Sequence, residues 1–260
     1  MQLSQTQLDE FDNNGLIVLP QLFSQEEIAP LKTALVSLFD NPHPANIAEQ
    51  NGGAVRTAMA LHQRNPVFKR LAGHPRLLEP AHQIAGPTLY VQQVKVNVKA
   101  AFVGDLWQWH YDFATHHADD GVPQPRALNL HVFLDDVTEH NGPLYFVPGS
   151  HRYGPAPAHH YTTSTSYPLW VVEPTRVAQL IDETGIISAI GPAGTGLIFG
   201  DLMVHGSPNN MSPWDRAIFS LILNPVDNAQ RRFARPDYKH HRDFSPVVAL
   251  DDDCLLSCRS

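Results

Sequence analysis

The feature that most constrains the fold is TLYVQQVKVNVK, residues 88–99, where apolar and polar residues alternate with a period of two. That alternation describes a strand with one face in an apolar core and the other in a different environment. It follows Gly86, where the character of the chain changes. Upstream, Ser4 with Gln7 and Ser24 with Glu27 form two capping boxes, each opening an apolar helical repeat: Leu8 and Phe11 in the first, Ile28, Leu31, Leu35 and Leu38 in the second. Gly15 and Asn41-Pro42 are their stop signals, GLIVLP between them is a short strand, and a third helix runs from Pro75 to Gly86. Downstream, LWQWHYDF, RALNLHVFLDDV, PLYFVPGS, TGLIFGD and RAIFSLILNPV read as strands, interrupted by one helix around PTRVAQLIDETG.

Helices followed by many short strands predict a mainly β fold with flanking helices, an antiparallel sandwich or barrel and not a doubly wound parallel sheet. Residues 1–260 read as one domain, helical over about 1–86 and with a β core over about 87–230. The segment from Tyr153 to Trp170 reads as a long irregular connection and a candidate lid over an active site.

The 26 acidic residues outnumber 18 Lys and Arg, a formal net charge of -8, which argues against a phosphate-backbone binder and excludes nucleic acid as the expected partner. A small-molecule partner is expected instead. The first residues, MQLSQTQLDEFDNNG, carry no secretory signal, and no run of 18 apolar residues occurs, so a cytoplasmic protein with no membrane segment is expected. Cys254 and Cys258, both in the last seven residues, are too few for a disulfide framework and read as an ordinary tail.

Histidine is abundant, and 15 His with 26 acids in 260 residues produce one or two His-x-acid patterns by chance. Three occur: His110-Tyr111-Asp112, His117-Ala118-Asp119 and His241-Arg242-Asp243. A two-histidine, one-carboxylate iron site needs such a pair on a rigid strand and a second histidine from a distant one. No histidine follows His241, and His117 lies in a polar, turn-like stretch. His110 ends an apolar strand and has a distant candidate partner in His205, with Arg216 eleven residues further on at the start of another strand. An arginine there can grip a distal carboxylate in a charge-assisted pair.

Around these residues the chain resembles the phytanoyl-CoA dioxygenase family of non-haem Fe(II)/2-oxoglutarate oxygenases, in particular the branch of ectoine hydroxylase and of bacterial hydroxylases of free leucine. The resemblance is densest from Gln93 to His151, in QVKVNVKAAFVGD, WHYDF, DDGVPQPR and HNGPLYFVPGSH, and resumes in HGSPNNMSPWDR and RPDYKHHRDFSP. It implies a double-stranded β-helix, the cupin-like jelly-roll, with Fe(II) held by His110, Asp112 and His205, 2-oxoglutarate gripped by Arg216, and O2 as second cosubstrate. Gln93 and Asn129 are placed near the cosubstrate or substrate. Asp112 stands where related halogenases have Gly or Ala, which implies hydroxylation, with succinate and CO2 as by-products.

Departures from the branch bear on the substrate. His116 replaces a tryptophan of ectoine hydroxylases, and Ile218 stands where a Ser commonly follows the cosubstrate arginine. The resemblance to leucine hydroxylases reaches back through AVRTAMALH, where Arg56 is a candidate for an amino-acid carboxylate or for a structural ion pair. Trp107, with Trp109 and Phe113, is a candidate apolar wall. A free amino acid is the first expectation for substrate, then a carrier-bound amino acid or another zwitterion. A fatty acyl-CoA comes last, because no basic cluster offers itself to its phosphates. The rival readings are a zinc hydrolase on the same ligands, which has no use for Arg216 or oxygen, and a non-catalytic β-sandwich binding module.

Overall fold

The computed structural model describes residues 1–50, 53–162 and 168–256. Along the chain lie α1 (Gln5–Asn14), β1 (Leu16–Leu19), α2 (Gln25–Asp40), β2 (Asn46–Ala48), β3 (Val55–Met59), α3 (Leu61–Arg64), α4 (Pro66–Ala72), α5 (Pro75–Ala85) and β4 (Leu89–Lys99). There follow β5 (Trp107–His110), α6 (Asp112–Ala118), β6 (Leu128–Phe133), β7 (Leu144–Phe146), β8 (Ala158–Tyr161), β9 (Leu169–Val172) and α7 (Pro174–Thr184). The series closes with β10 (Ile187–Ala189), β11 (Gly196–Gly200), β12 (His205–Ser207) and β13 (Arg216–Pro225). Both capping boxes form, and Gly15 takes the left-handed conformation that ends α1.

The strands build a seven-stranded sheet, β1-β11-β6-β13-β4-β3-β2, and a four-stranded sheet, β10-β7-β12-β5, antiparallel throughout. The two are packed face to face in a jelly-roll through Phe133, Phe199 and Ile218 of the large sheet against Leu144, Phe146 and Ala189 of the small one. The outer face of the large sheet is covered by α2, α4 and α5, whose Ile28, Leu31, Phe68, Leu71 and Leu78 meet Val94, Val96, Leu130, Val132, Phe219 and Leu221. Each such side chain, once buried, contributes roughly 1.5–3 kcal/mol.

Period-two alternation then dictates what faces inward. Because Val94, Val96 and Val98 of β4 turn to the helices, Gln93, Lys95 and Asn97 turn to the space between the sheets. The same rule sends Asn129 and His131 of β6 inward opposite Leu128, Leu130 and Val132. These polar residues are therefore aimed at the interior of the jelly-roll by the same apolar pattern that stabilises it.

Three expectations need correction. Residues 1–86 hold more than the helices and the expected GLIVLP strand: β2 and β3 are additional, and with β1 they extend the large sheet at both edges, so the β architecture reaches outside 87–230. WHYDF is not a continuous strand, since the chain leaves β5 at Tyr111 and enters α6 at Asp112, giving a second helix among the strands and placing His117 on it. The stretch from Tyr153 to Trp170 is not wholly irregular, because Ala158–Tyr161 (β8) pairs antiparallel with Leu169–Val172 (β9) as a hairpin; its residues 163–167, like Cys258, lie outside those described.

Candidate active site

β5 and β12 are hydrogen-bonded neighbours, and their register sets His110 directly opposite His205. The two imidazole centroids are 4.1 Å apart. Asp112, the first residue of α6, swings its carboxylate back so that Oδ1 lies 3.8 Å from His110 Nε2. Ligand atoms of His110, Asp112 and His205 all lie within 4.8 Å of one another, the one group of three potential metal ligands among the described residues. The carboxylate reaches the site from a helix start and not, as i, i+2 spacing on a strand would have it, from the strand itself.

The surroundings prepare these groups to bind a cation. His110 Nδ1 donates to the Gln108 carbonyl at 2.6 Å and His205 Nδ1 to the Met203 carbonyl at 2.8 Å, which leaves both Nε2 lone pairs for a metal. Burial, with His205 beside it, pushes the His110 imidazole down to about 3, and burial lowers His205 as well, so both rings are neutral at physiological pH. Burial pushes the Asp112 carboxyl up, but His205, Lys95 and His110 together pull it further down, and it stays ionised. Two neutral imidazoles and one carboxylate on one side of a cavity form the facial donor set suited to ferrous iron. Phe199 and Phe146 pack on the His205 ring at 5.0 and 5.7 Å and fix its plane.

Arg216 opens β13 and is 1% exposed. Its Nε and Nη2 donate to the Gly142 carbonyl at 3.0 and 2.6 Å, and Nη2 also to Ser207 Oγ at 3.1 Å. No carboxylate among the described residues forms an ion pair with it. Burial, reinforced by Arg56, lowers its guanidinium to about 9, still cationic at neutral pH. Gly142 makes this arrangement possible: at φ +78°, a Cβ there would stand 2.4 Å from Lys99 Cδ and 2.9 Å from the Pro208 carbonyl.

Two adjoining cavities serve this centre. A narrow one of about 60 Å³ runs between the metal ligands and Arg216, with Lys95, Asn97, Trp107, Asn129 and His131 also in its wall. A wider one of about 270 Å³ lies on the other side of Asp112 and is lined by Gln93, Thr115, His116, Asp119, Arg235 and Lys239 among others. Lys95, Asp112 and Leu169 belong to both, so β9 of the hairpin supplies part of the roof.

The expected site residues sort accordingly. Asn129 and Trp107 line the narrow cavity with the triad and Arg216, and His116 lines the wide one. Gln93 belongs to the wide cavity and not to the Arg216 cavity; its Nε2 donates to the Lys239 carbonyl at 2.6 Å. Arg56 is no carboxylate receptor: it lines neither cavity, is 0% exposed, pairs with Glu49 at 2.9 Å, donates to the Leu106 carbonyl and stacks 3.9 Å over Trp107. Glu49 already supplies its counter-charge, which is why the ion pair prevails over ligand binding.

Lys95, Asn97 and His131 escaped the sequence reading although their signal was present, since each is an inward position of an alternating strand. Arg235, Lys239 and His240 come from the chain after β13, where no periodicity marks them. There Asp120 accepts from Arg235 Nε and from His240 Nδ1, both at 2.7 Å, and anchors the tail against the wide cavity.

The phytanoyl-CoA dioxygenase (PhyH) family pattern matches residues 11–218. The chain belongs to this family. It is similar to the ectoine dioxygenase of Bordetella parapertussis, 37% identical over 87% of this chain and 77% of that one. It is also similar to the L-proline trans-4-hydroxylase of Streptomyces griseoviridis, 34% identical over 94% of this chain and 95% of that one. The crystal structure of EctD from S. alaskensis with 2-oxoglutarate and 5-hydroxyectoine superposes with a TM-score of 0.85 at 32% identity, covering 96% of this chain and 87% of that one. A further EctD structure contains bound Fe. This member of the family is thus a double-stranded β-helix enzyme, an Fe(II)- and 2-oxoglutarate-dependent dioxygenase that consumes O2. No helix among its described residues is long and apolar enough to cross a membrane.

Proposed function

We propose that the enzyme hydroxylates an unactivated C–H bond of a free amino acid or a similarly small zwitterion, with His110, Asp112 and His205 holding Fe(II) and Arg216 anchoring 2-oxoglutarate. The observation that carries the site assignment is the convergence of three ligand atoms beside a buried guanidinium that forms no ion pair with a carboxylate among the described residues. Burying a cation without a counter-ion is costly, and the far carboxylate of 2-oxoglutarate supplies one. When bound, Fe(II) provides the oxidative decarboxylation of 2-oxoglutarate by O2, giving succinate and CO2 and transferring one oxygen atom to the substrate.

The chain's own residues do the rest. Gln108 and Met203 orient the two imidazoles, and Gly142 and Ser207 hold the guanidinium in one pose. Leu144, Leu169, Phe199 and Trp107 keep bulk water from the narrow cavity. The wide cavity carries both signs of charge, Lys95, Arg235 and Lys239 against Asp119, which suits a molecule bearing a carboxylate and an ammonium group. Its volume of about 270 Å³ suits a small molecule such as an amino acid. His116, held through Nδ1 by Asp201 at 2.9 Å, lines this cavity and is assigned to substrate recognition. A relative that is an L-proline trans-4-hydroxylase supports the amino-acid reading, and the action on a free metabolite fits a cytoplasmic enzyme.

The test is anaerobic loading with Fe(II) and 2-oxoglutarate, then exposure to air with a panel of free amino acids. Succinate release coupled to a product heavier by one oxygen atom is expected with at least one aliphatic or cyclic amino acid. Turnover with Zn(II) and without O2 would overturn the assignment in favour of a hydrolase.

A further inference from the structure

Of the three His-x-acid patterns, His241-Arg242-Asp243 takes no part in the iron site, yet it belongs to a cavity of its own. This cavity, about 600 Å³ in volume, lies between α3–α4 and the chain that follows β13, with His62, Gln63, Lys69, His241, Asp243 and Ser245 in its wall. The rings of His62, on α3, and His241 meet edge to face with centroids 4.5 Å apart, close to the 4.1 Å between His110 and His205. His241 is 1% exposed. Its Nε2 and the Nδ1 of His62 are both buried and have no hydrogen-bond partner.

A buried polar atom without a partner is a cost that a bound group can remove. Burial, then the adjacent His241, lowers His62 to about 3, and burial lowers His241, so both rings are neutral and each carries a lone pair. On the opposite edge of the His241 ring, Nδ1 faces the Gln63 side-chain amide at 3.3 Å and Asp237 Oδ2 at 3.6 Å. A proton held on that edge leaves the Nε2 lone pair for a ligand, as behind metal-bound imidazoles, where a carboxylate or carbonyl fixes the tautomer. Asp237 acts electrostatically on both rings and Asp243 on His241, each favouring positive charge there, against Lys69 on His62. Neutral imidazoles beside carboxylates suit Zn(II), Cu(II) or Ni(II), whereas Mg(II) and Ca(II) require oxygen donors.

We propose that His62 and His241 form a second metal site, separate from the iron centre, which takes a borderline divalent cation of the Zn(II) class through His62 Nδ1 and His241 Nε2. Among the described residues no third ligand atom converges on the pair, so water completes the coordination beside Asp243 in the cavity wall, and the site binds more weakly than the triad. The ion acts as a staple. The His241 N–H donates to the Gln92 carbonyl at 2.9 Å and its carbonyl accepts from Gln230 Nε2 at 3.1 Å, while Lys239, two residues earlier, and Arg235 line the wide cavity. Joining His241 to His62 therefore fixes to α3 the segment that forms one wall of the wide cavity.

The experiment is equilibrium dialysis of the metal-free full chain against Zn(II), with the bound metal counted by elemental analysis, beside anaerobic Fe(II) titration of the same proteins. The wild type is expected to hold two Zn(II) ions per chain, and His62→Gln and His241→Gln one each, losing the weaker ion and keeping wild-type Fe(II) affinity. The second equivalent of Zn(II) should also slow backbone amide exchange over residues 235–243 in the wild type and not in H241Q. One ion per wild-type chain, two ions retained in H62Q and H241Q, or loss of the ion together with Fe(II) affinity would each overturn the site, and unaltered amide exchange would overturn the staple. Should the variants not fold, the wild type labelled with 15N-histidine decides. The second equivalent of Zn(II) must move the ring-nitrogen resonances of two histidines beyond those moved by the first, and no further movement refutes the site.

Discussion

One residue separates His110 from Asp112, yet they belong to different elements, a strand end and a helix start. The pair was legible because a histidine ending an apolar strand has few other uses, and His205 and Arg216 were legible by their positions beside later strands. Their partners were not, since alternation tells which face a side chain takes and not what waits there. Arg56 shows this: the sequence left a ligand and an ion pair both open, and the Glu49 carboxylate decided between them. Removing a ligand should be more severe than removing a group that orients one, which costs 10- to 100-fold in metal affinity as a rule of thumb (~100-fold is therefore a lower estimate). Asp112→Ala is expected to weaken Fe(II) binding at least ~100-fold and abolish hydroxylation, whereas Asp119→Ala and Asp243→Ala should retain Fe(II) binding, all three being measured by anaerobic titration. For Arg216→Ala, loss of one member of a buried charge pair costs about 2–5 kcal/mol, so KM for 2-oxoglutarate should rise by ~30-fold or more. KM for the primary substrate should move far less, and equal changes in the two constants would refute the anchoring role.

At the level of elements, the long and strongly patterned pieces were readable and the short ones were not. Two capping boxes and an eleven-residue alternating strand declare themselves, because each repeats a local physical requirement several times over. β2, β10 and β12 have three residues each, too few for any period, and they are defined only by the strands beside them. α6 was missed for a related reason: its seven residues contain no side-chain cap, and the aromatic run before it imitates a strand. The connection between β6 and β7 carries a prediction of its own. Gly142 lies there at φ +78° with Lys99 and Pro208 packed against it, and its carbonyl holds Arg216. Gly142→Ala should destabilise the protein by about 1–3 kcal/mol through strain and overpacking. It should also weaken 2-oxoglutarate binding by displacing the guanidinium, with Fe(II) affinity preserved. A melt combined with the two titrations checks this, and an intact cosubstrate affinity in a destabilised variant would mean that Arg216 does not depend on the Gly142 carbonyl.

For the molecule as a whole, the unusual histidine content becomes a statement about pH. Burial, followed by the nearby His241, lowers His62 to about 3; burial and His205 lower His110 to about 3. Burial lowers His240 to about 4 against the opposing pull of Asp120, and it lowers His131 well below its ordinary value. In the unfolded chain all four titrate near ~6.5. Below that pH the unfolded state takes up protons that the native state refuses, and each such group removes up to ~1.4 kcal/mol of stability per pH unit. His116 acts in the opposite sense, since Asp201 raises it against the effect of burial, but the lowered histidines, His205 among them, outnumber it. The metal-free protein should therefore lose Tm steeply from pH ~6.5 towards pH 5; a Tm that is flat across this interval would contradict the neutral, buried state of these rings. Fe(II) binding should behave differently over the same range. With the His110 ring already neutral down to about 3, His205 lowered in the same direction and Asp112 already ionised, the folded site has almost no protons to release when the ion enters. Calorimetric titrations of the folded metal-free enzyme at pH 6.5, in two buffers of different ionisation enthalpy, should give the same heat of Fe(II) binding. A heat that depends on the buffer would show that protonated ligands are displaced, and that the site is not pre-formed for the cation.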